Sequence, residues 1–132
     1  MGHIKAYYEG LTALSRTDWQ YIAARFERIC FLKGDILTAQ GDTEQFLYFV
    51  EHGILRYYIP DQEHEVTFHF CFSKEFACAY DSLLTQTPSG YQLGALADTV
   101  AWRITYRHLQ EVYTNTRAGN AVGRIAAEKL FF

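Results

Sequence analysis

Three glycine-centred turns lie close together between Phe31 and Ile59, in the stretch FLKGDILTAQGDTEQFLYFVEHGILRYYI. They are Lys33-Gly34-Asp35, Gln40-Gly41-Asp42 and Glu51-His52-Gly53, each of a composition that reverses the chain. Between them stand only short apolar runs: Phe31-Leu32, Ile36-Leu37, Phe46 to Val50, and Ile54 to Ile59. Turns at this spacing leave no room for a crossover helix. The runs must therefore pair as short antiparallel strands, in a sandwich or barrel and not a parallel sheet. Phe46 to Val50, aromatic and β-branched, suits a largely buried strand.

The flanks read differently. Ile4 to Ala13 is weakly helical, with Tyr7, Tyr8, Leu11 and Leu14 available for one face and Gly10 as an interruption. Ser15 or Thr17 caps a clearer helix with Asp18 in its first turn. Trp19, Ile22, Ala23, Phe26 and Ile29 recur along it at helical spacing, a stripe expected to pack on the roll. Pro60 to His64 is a polar hairpin loop. In Glu65 to Phe72 the alternation puts Val66, Phe68, Phe70 and Phe72 on a core face and Thr67, His69 and Cys71 on the other. Phe76 to Leu84 holds one short helix. Tyr91 to Leu96 and Val100 to Ile104 are strands around Ala97-Asp98-Thr99. Thr105 caps a helix from Tyr106 to about Tyr113, with Leu109 and Val112 inward. Asn115 or Thr116 starts a last helix, whose stripe is Ala118, Val122, Ile125, Ala126, Lys129 and Leu130. The expected architecture is mainly β with flanking helices, a double-stranded β-helix or jelly roll. Its expected parts are N-terminal helices over 1–30, the roll over 31–104, and C-terminal helices over 105–132.

The 132 residues have room for one domain with a real core, and 49% of them are hydrophobic, which excludes a disordered chain. A net charge of −3 speaks against this segment gripping nucleic acid itself. No apolar run is long enough for a membrane span, and the N-terminus lacks a signal-peptide layout. Cys30, Cys71 and Cys78 form no CxxC motif. Without a secretion signal they fit a cytoplasmic protein, as buried or half-buried apolar groups.

The ordered series Lys33-Gly34-Asp35, Gln40-Gly41-Asp42 and Leu47-Tyr48-Phe49-Val50-Glu51-His52-Gly53 resembles the cyclic-nucleotide-binding domain family. The particular resemblance is to the sensor half of CRP/FNR (catabolite-activator type) transcription regulators. It implies a ligand cassette between two strands. A Gly-Glu pair opens the cassette, with the Glu for the ribose. A short helix offers N–H groups to the phosphate, and an Arg followed by Ser or Thr closes it. Glu75 stands where the family Glu falls, with Lys74 in place of the usual Gly. Ser89 stands where the Arg falls, and Gly90 at its partner. No arginine occurs from Tyr57 to Trp102. A buried phosphate without a fixed cation is strongly unfavourable, so neither cyclic AMP nor cyclic GMP is the expected ligand. The candidate ligand-binding residues are Glu75, Phe76, Tyr80, Ser82, Ser89, Gly90 and Tyr91. Of the residues near the site, Phe72, Phe76, Tyr80, Tyr91, Ser82 and Ser89 describe an aromatic, weakly polar cavity, open to a small neutral or apolar ligand or filled by its own side chains.

The resemblance also implies a homodimer, paired through the last helix by Ala118, Val122, Ile125, Ala126 and Lys129. DNA is then bound only through a helix-turn-helix domain absent from this sequence. The end on Leu130-Phe131-Phe132 is expected to be covered by a partner or continued by further chain. A stand-alone binding or interaction module is one alternative, and a cupin-like metalloenzyme another. For the latter no His-x-His pair exists, and His64 and His69 would face opposite sides of one strand. No catalytic residue, metal site or cofactor is expected.

Overall fold

In the computed structural model, residues 1–11, 13–61 and 63–117 are described. Strands β1 (Glu27–Phe31), β2 (Ile36–Thr38), β3 (Phe46–His52), β4 (Leu55–Ile59), β5 (Val66–Cys71), β6 (Phe76–Ala77), β7 (Gln92–Ala95) and β8 (Thr99–Thr105) form two four-stranded sheets, ordered β1-β8-β3-β6 and β2-β7-β4-β5. Among the described residues four helices accompany them: α1 (Gly2–Leu11), α2 (Arg16–Ala23), α3 (Tyr80–Thr85) and α4 (Tyr106–Asn115). The alternation of strands between the two sheets is that of a jelly roll.

The roll belongs to a unit spanning Arg28–Arg103. Its core is a cluster that includes Tyr48, Val50, Leu55, Tyr57, Leu93 and Ala101, drawn from both sheets. The glycine turns work as their sequence requires. Gly53 has φ +129°, and a Cβ placed on it would stand 2.7 Å from the Cα of Thr99, so neither the conformation nor the space admits another residue.

The second unit comprises Met1–Glu27 and the chain from Ile104. Ser15 caps α2 by accepting from the Asp18 N–H at 3.0 Å, and Thr105 caps α4 by accepting from the His108 N–H at 3.1 Å. The guanidinium of Arg25 lies 3.3 Å from the Tyr21 ring centroid and 3.4 Å from the Glu111 carboxylate, joining α2 to α4. Leu109 and Val112 are buried, as α4's periodicity predicts.

Three expectations are corrected. Gly10 does not interrupt α1, which runs through it. The stripe from Trp19 to Ile29 is not one helix: α2 stops at Ala23, and Glu27 to Phe31 is a strand beside β8. Sheet pairing overrides the helical period there. Cys30 is exposed, while Cys71 and Cys78 are buried. The last-helix stripe, from Ala118 onward, lies outside the described residues.

Candidate functional site

β5 leaves the sheet into a tight turn, Phe72 to Glu75, and β6 returns along β3, pairing Tyr48 with Ala77 and Phe49 with Phe76. Lys74 is left-handed at φ +70°, so the backbone adopts what a glycine would take at no cost. Its N–H donates to the Val50 carbonyl at 2.6 Å, and the Val50 N–H donates to the Glu75 carbonyl at 2.9 Å. The Glu75 carboxylate accepts from the Phe72 N–H at 2.8 Å, closing its own turn.

The start of α3 is held by a buried carboxylate that the sequence did not advertise. Glu44 is 2% exposed. It accepts from the Thr38 hydroxyl at 2.5 Å and from the N–H groups of Ala79 and Phe46, both at 3.1 Å. Its own N–H donates to the Ser82 hydroxyl at 2.8 Å, which in turn donates to the Thr87 carbonyl at 2.5 Å. Gln86, left-handed at φ +53°, ends α3 and donates from its side chain to the carbonyls of Glu44 and Leu83. Burial raises the Glu44 pKa, against the lowering effect of these hydrogen bonds. The loop before β3 and the cassette helix are therefore one hydrogen-bonded body.

The far end is closed by Ser89. Its N–H donates to the Asp42 carbonyl and its carbonyl accepts from the Gly41 N–H. Its hydroxyl donates to the Tyr91 carbonyl at 2.7 Å. The Ser89 side chain is thus buried in a turn. Gly90 offers its carbonyl to the Gln40 side-chain amide at 3.2 Å.

Between the cassette and the sheet is a half-open cleft of about 450 Å³, lined by Tyr57, Phe68, His69, Phe76, Tyr80 and Tyr91. That volume lies in the range of small-molecule sites. Tyr57 centres one wall, its ring 5.3 Å from that of His69 and 5.9 Å from that of Tyr91. Its hydroxyl accepts from the Cys78 N–H at 3.1 Å. Phe68 meets Tyr91 edge to face at 5.3 Å. Burial, then the charge of Asp81, pushes the Tyr91 phenol up to about 12, and burial drives Tyr57 up as well. Burial likewise raises the thiols of Cys71 and Cys78. At neutral pH Tyr57 and Tyr91 are uncharged, and neither cysteine is a thiolate nucleophile.

Of the residues expected from sequence, Phe76, Tyr80 and Tyr91 meet in this cleft. Glu75, Ser82, Ser89 and Gly90 are not among the residues that line it, and their hydrogen bonds serve the cassette's own turns. Tyr57, Phe68 and His69 were not anticipated. The reason is a β-bulge. Tyr57 pairs with His69 but Tyr58 pairs with Thr67, which leaves Phe68 as an extra residue. The bulge breaks the period of two. His69 therefore faces the cleft and not the outside, while Val66, Phe68, Phe70 and Phe72 are all exposed instead of forming a core face. Among the described residues no group of three His, Cys, Asp or Glu side chains is placed to hold a metal ion, and no helix is long and apolar enough to cross a membrane.

Comparison with known proteins agrees with this architecture. The family model for the cyclic nucleotide-binding domain matches residues 28–116. No curated protein sequence matches the chain significantly. Among solved structures, the catabolite activator protein of Thermus thermophilus superposes with a TM-score of 0.72 at 20% identity, covering 91% of this chain and 57% of its own. This chain thus spans little more than half of that regulator. The N-terminal domain of a transcriptional regulator from Streptomyces coelicolor A3(2) gives 0.73 at 21% identity, covering 89% of this chain and 83% of its own. The sensor domain of the transcriptional regulator DNR from Pseudomonas aeruginosa gives 0.69 at 18% identity, covering 89% and 79%.

Proposed function

The chain belongs to the cyclic nucleotide-binding domain family, and we propose that it is the ligand-sensing and dimerisation domain of a cytoplasmic transcription regulator of the CRP/FNR kind, with a ligand other than a cyclic nucleotide. The observation that carries this reading is the state of the cassette. The carboxylate at its opening is bound to the Phe72 N–H. Ser89, which the resemblance sets at the arginine position, has its hydroxyl closed on the Tyr91 carbonyl. The cleft itself is walled by aromatic rings, with no arginine or lysine among its lining residues. A cyclic phosphate placed there would lose its water without gaining a counter-charge.

Support for the regulator reading comes from the two similar structures that are themselves a sensor domain and an N-terminal regulator domain. In this reading a small molecule in the cleft biases the packing of the cassette, and through it a dimer formed by the last helix. DNA is met only through a helix-turn-helix domain that is not part of this sequence. The ligand acts by shifting a pre-existing equilibrium, as far as its affinities for the two states differ. The protein performs no catalysis.

Thermal melting in the presence of cyclic AMP and cyclic GMP tests the ligand part. A ligand at about a hundred times its Kd stabilises by about 2.7 kcal/mol, on the order of 5–10 °C for a domain of this size. The expected result is no shift with either nucleotide at millimolar concentration. A rise of several degrees would show that the cassette holds a phosphate after all.

A further inference from the structure

We infer that the aromatic cleft recognises a small organic cation, a substituted ammonium group being the chemistry that fits it. This inference rests on the reading of the cleft as the ligand site, and adds to it the class of ligand.

The wall is the first argument. Tyr57, Phe68, Tyr91 and His69 pack on one another with ring centroids 5.3 to 6.1 Å apart and mutual tilts from 48° to 84°. Rings set at such angles do not stack flat on one another. The face of a benzene-type ring carries the negative lobe of its quadrupole, and a cation over it is attracted. A flat slot for a planar aromatic ligand would need two nearly parallel rings. Tyr57 and Tyr91, tilted by 57°, do not make one.

The second argument is charge. Among the described residues no lysine or arginine lines the cleft. Arg56 is engaged away from it, 3.8 Å from the ring centroid of Tyr58 and 2.6 Å from Glu65. Arg103 stands 4.1 Å from the ring centroid of Phe46. The largest charge effect on Tyr91 is that of the Asp81 carboxylate, which pushes its phenol pKa upward. The field that disfavours a phenolate there favours a cation at the same place. An anion would meet aromatic faces and carboxylates together.

The third argument is that the fold already uses this pairing at three of its own cations: Arg25 on Tyr21, Arg56 on Tyr58 and Arg103 on Phe46. In the cleft the rings are assembled without a guanidinium among the lining residues, so the cation must come from outside the chain.

The test uses a charged probe and its neutral isostere. Choline and 3,3-dimethylbutan-1-ol differ by one atom, nitrogen for carbon, and so by one positive charge. Each is titrated into the full chain while the aromatic signals of Tyr91 and His69 are followed by NMR. Choline is expected to move these signals along a saturable curve, with the neutral alcohol binding at least about tenfold more weakly. Phe68→Leu and Tyr91→Leu keep apolar bulk but remove a ring, and each is expected to weaken choline by about tenfold. Tyr91→Phe keeps the ring and is expected to keep the affinity. Equal binding of choline and the alcohol, or equal behaviour of Tyr91→Leu and Tyr91→Phe, overturns the cation inference and leaves the cleft a neutral-ligand site. If neither probe, nor any neutral aromatic in a fragment set, moves the Tyr91 and His69 signals, the ligand-site reading itself fails.

Discussion

Glu44 shows how one side chain decides what the cassette can do. Its carboxylate takes the Ala79 N–H at the start of α3. A helix start leaves backbone N–H groups without an intrahelical partner, and here the chain provides the acceptor. The arrangement has a sign that can be checked. Burial raises the carboxyl above its ordinary value of 4.5, so the folded chain holds this proton more tightly than the unfolded one. The stability it contributes is fully present below that ordinary value and is lost as pH rises through the raised one. Glu44→Gln has no proton to lose. The difference in unfolding free energy, wild type minus variant, should therefore fall in urea melts as pH rises above that ordinary value, and a flat or rising difference would show that the group is not strained by burial. Two backbone positions give opposite expectations. Lys74→Gly relieves a left-handed conformation and should gain about 0.5–1 kcal/mol, net of the added freedom of the unfolded chain. Gly53→Ala brings a Cβ against the Thr99 backbone at φ +129° and should cost about 3 kcal/mol or more. Chemical melts of both variants check the pair.

At the scale of elements, β5 is where sequence and structure part. The glycine turns made the roll legible, because a reversal every few residues permits little else. The helix caps at Ser15 and Thr105 were legible because capping needs only local chemistry. The wall of the cleft was not. Glu65 to Phe72 alternates cleanly as a string, yet the extra residue at Phe68 carries no glycine, proline or other mark of a bulge. A shift of one residue exchanges the two faces of a strand, so the placement of His69 depends on a pairing partner far away in sequence. Glu44 was hidden for a similar reason: its partners Ala79 and Ser82 are distant in the chain, and nothing local marks it as buried. The bulge can be tested by removing it. Deleting Phe68 leaves Tyr57 opposite His69 and Tyr58 opposite Thr67 in a regular ladder. The ladder should survive at a cost of about 1 kcal/mol, because Phe68 is 52% exposed and unpaired. A cooperative melt close to wild type is the expected result. Loss of folding would mean that the bulge itself holds the sheet together.

For the whole molecule the proposed sensor needs a route from the roll to a second subunit. The proposed route is the last helix, where Ala118, Val122, Ile125, Ala126 and Lys129 recur on a helical period. In a two-fold dimer the same patch meets itself, so each substitution acts twice. Val122→Glu with Ile125→Glu would bring four carboxylates into one apolar contact. Burying them unpaired costs several kcal/mol, enough to abolish a micromolar association. Light scattering is therefore expected to give twice the 15.3 kDa chain mass for the wild type and the single-chain mass for the double variant. The melting of the roll should change little, because its core cluster is formed by the strands alone. A variant that remains dimeric would place the interface elsewhere. A wild type that is monomeric at every concentration would end the dimer proposal while leaving the chemistry of the cleft untouched, since every side chain that lines it comes from the roll and its cassette.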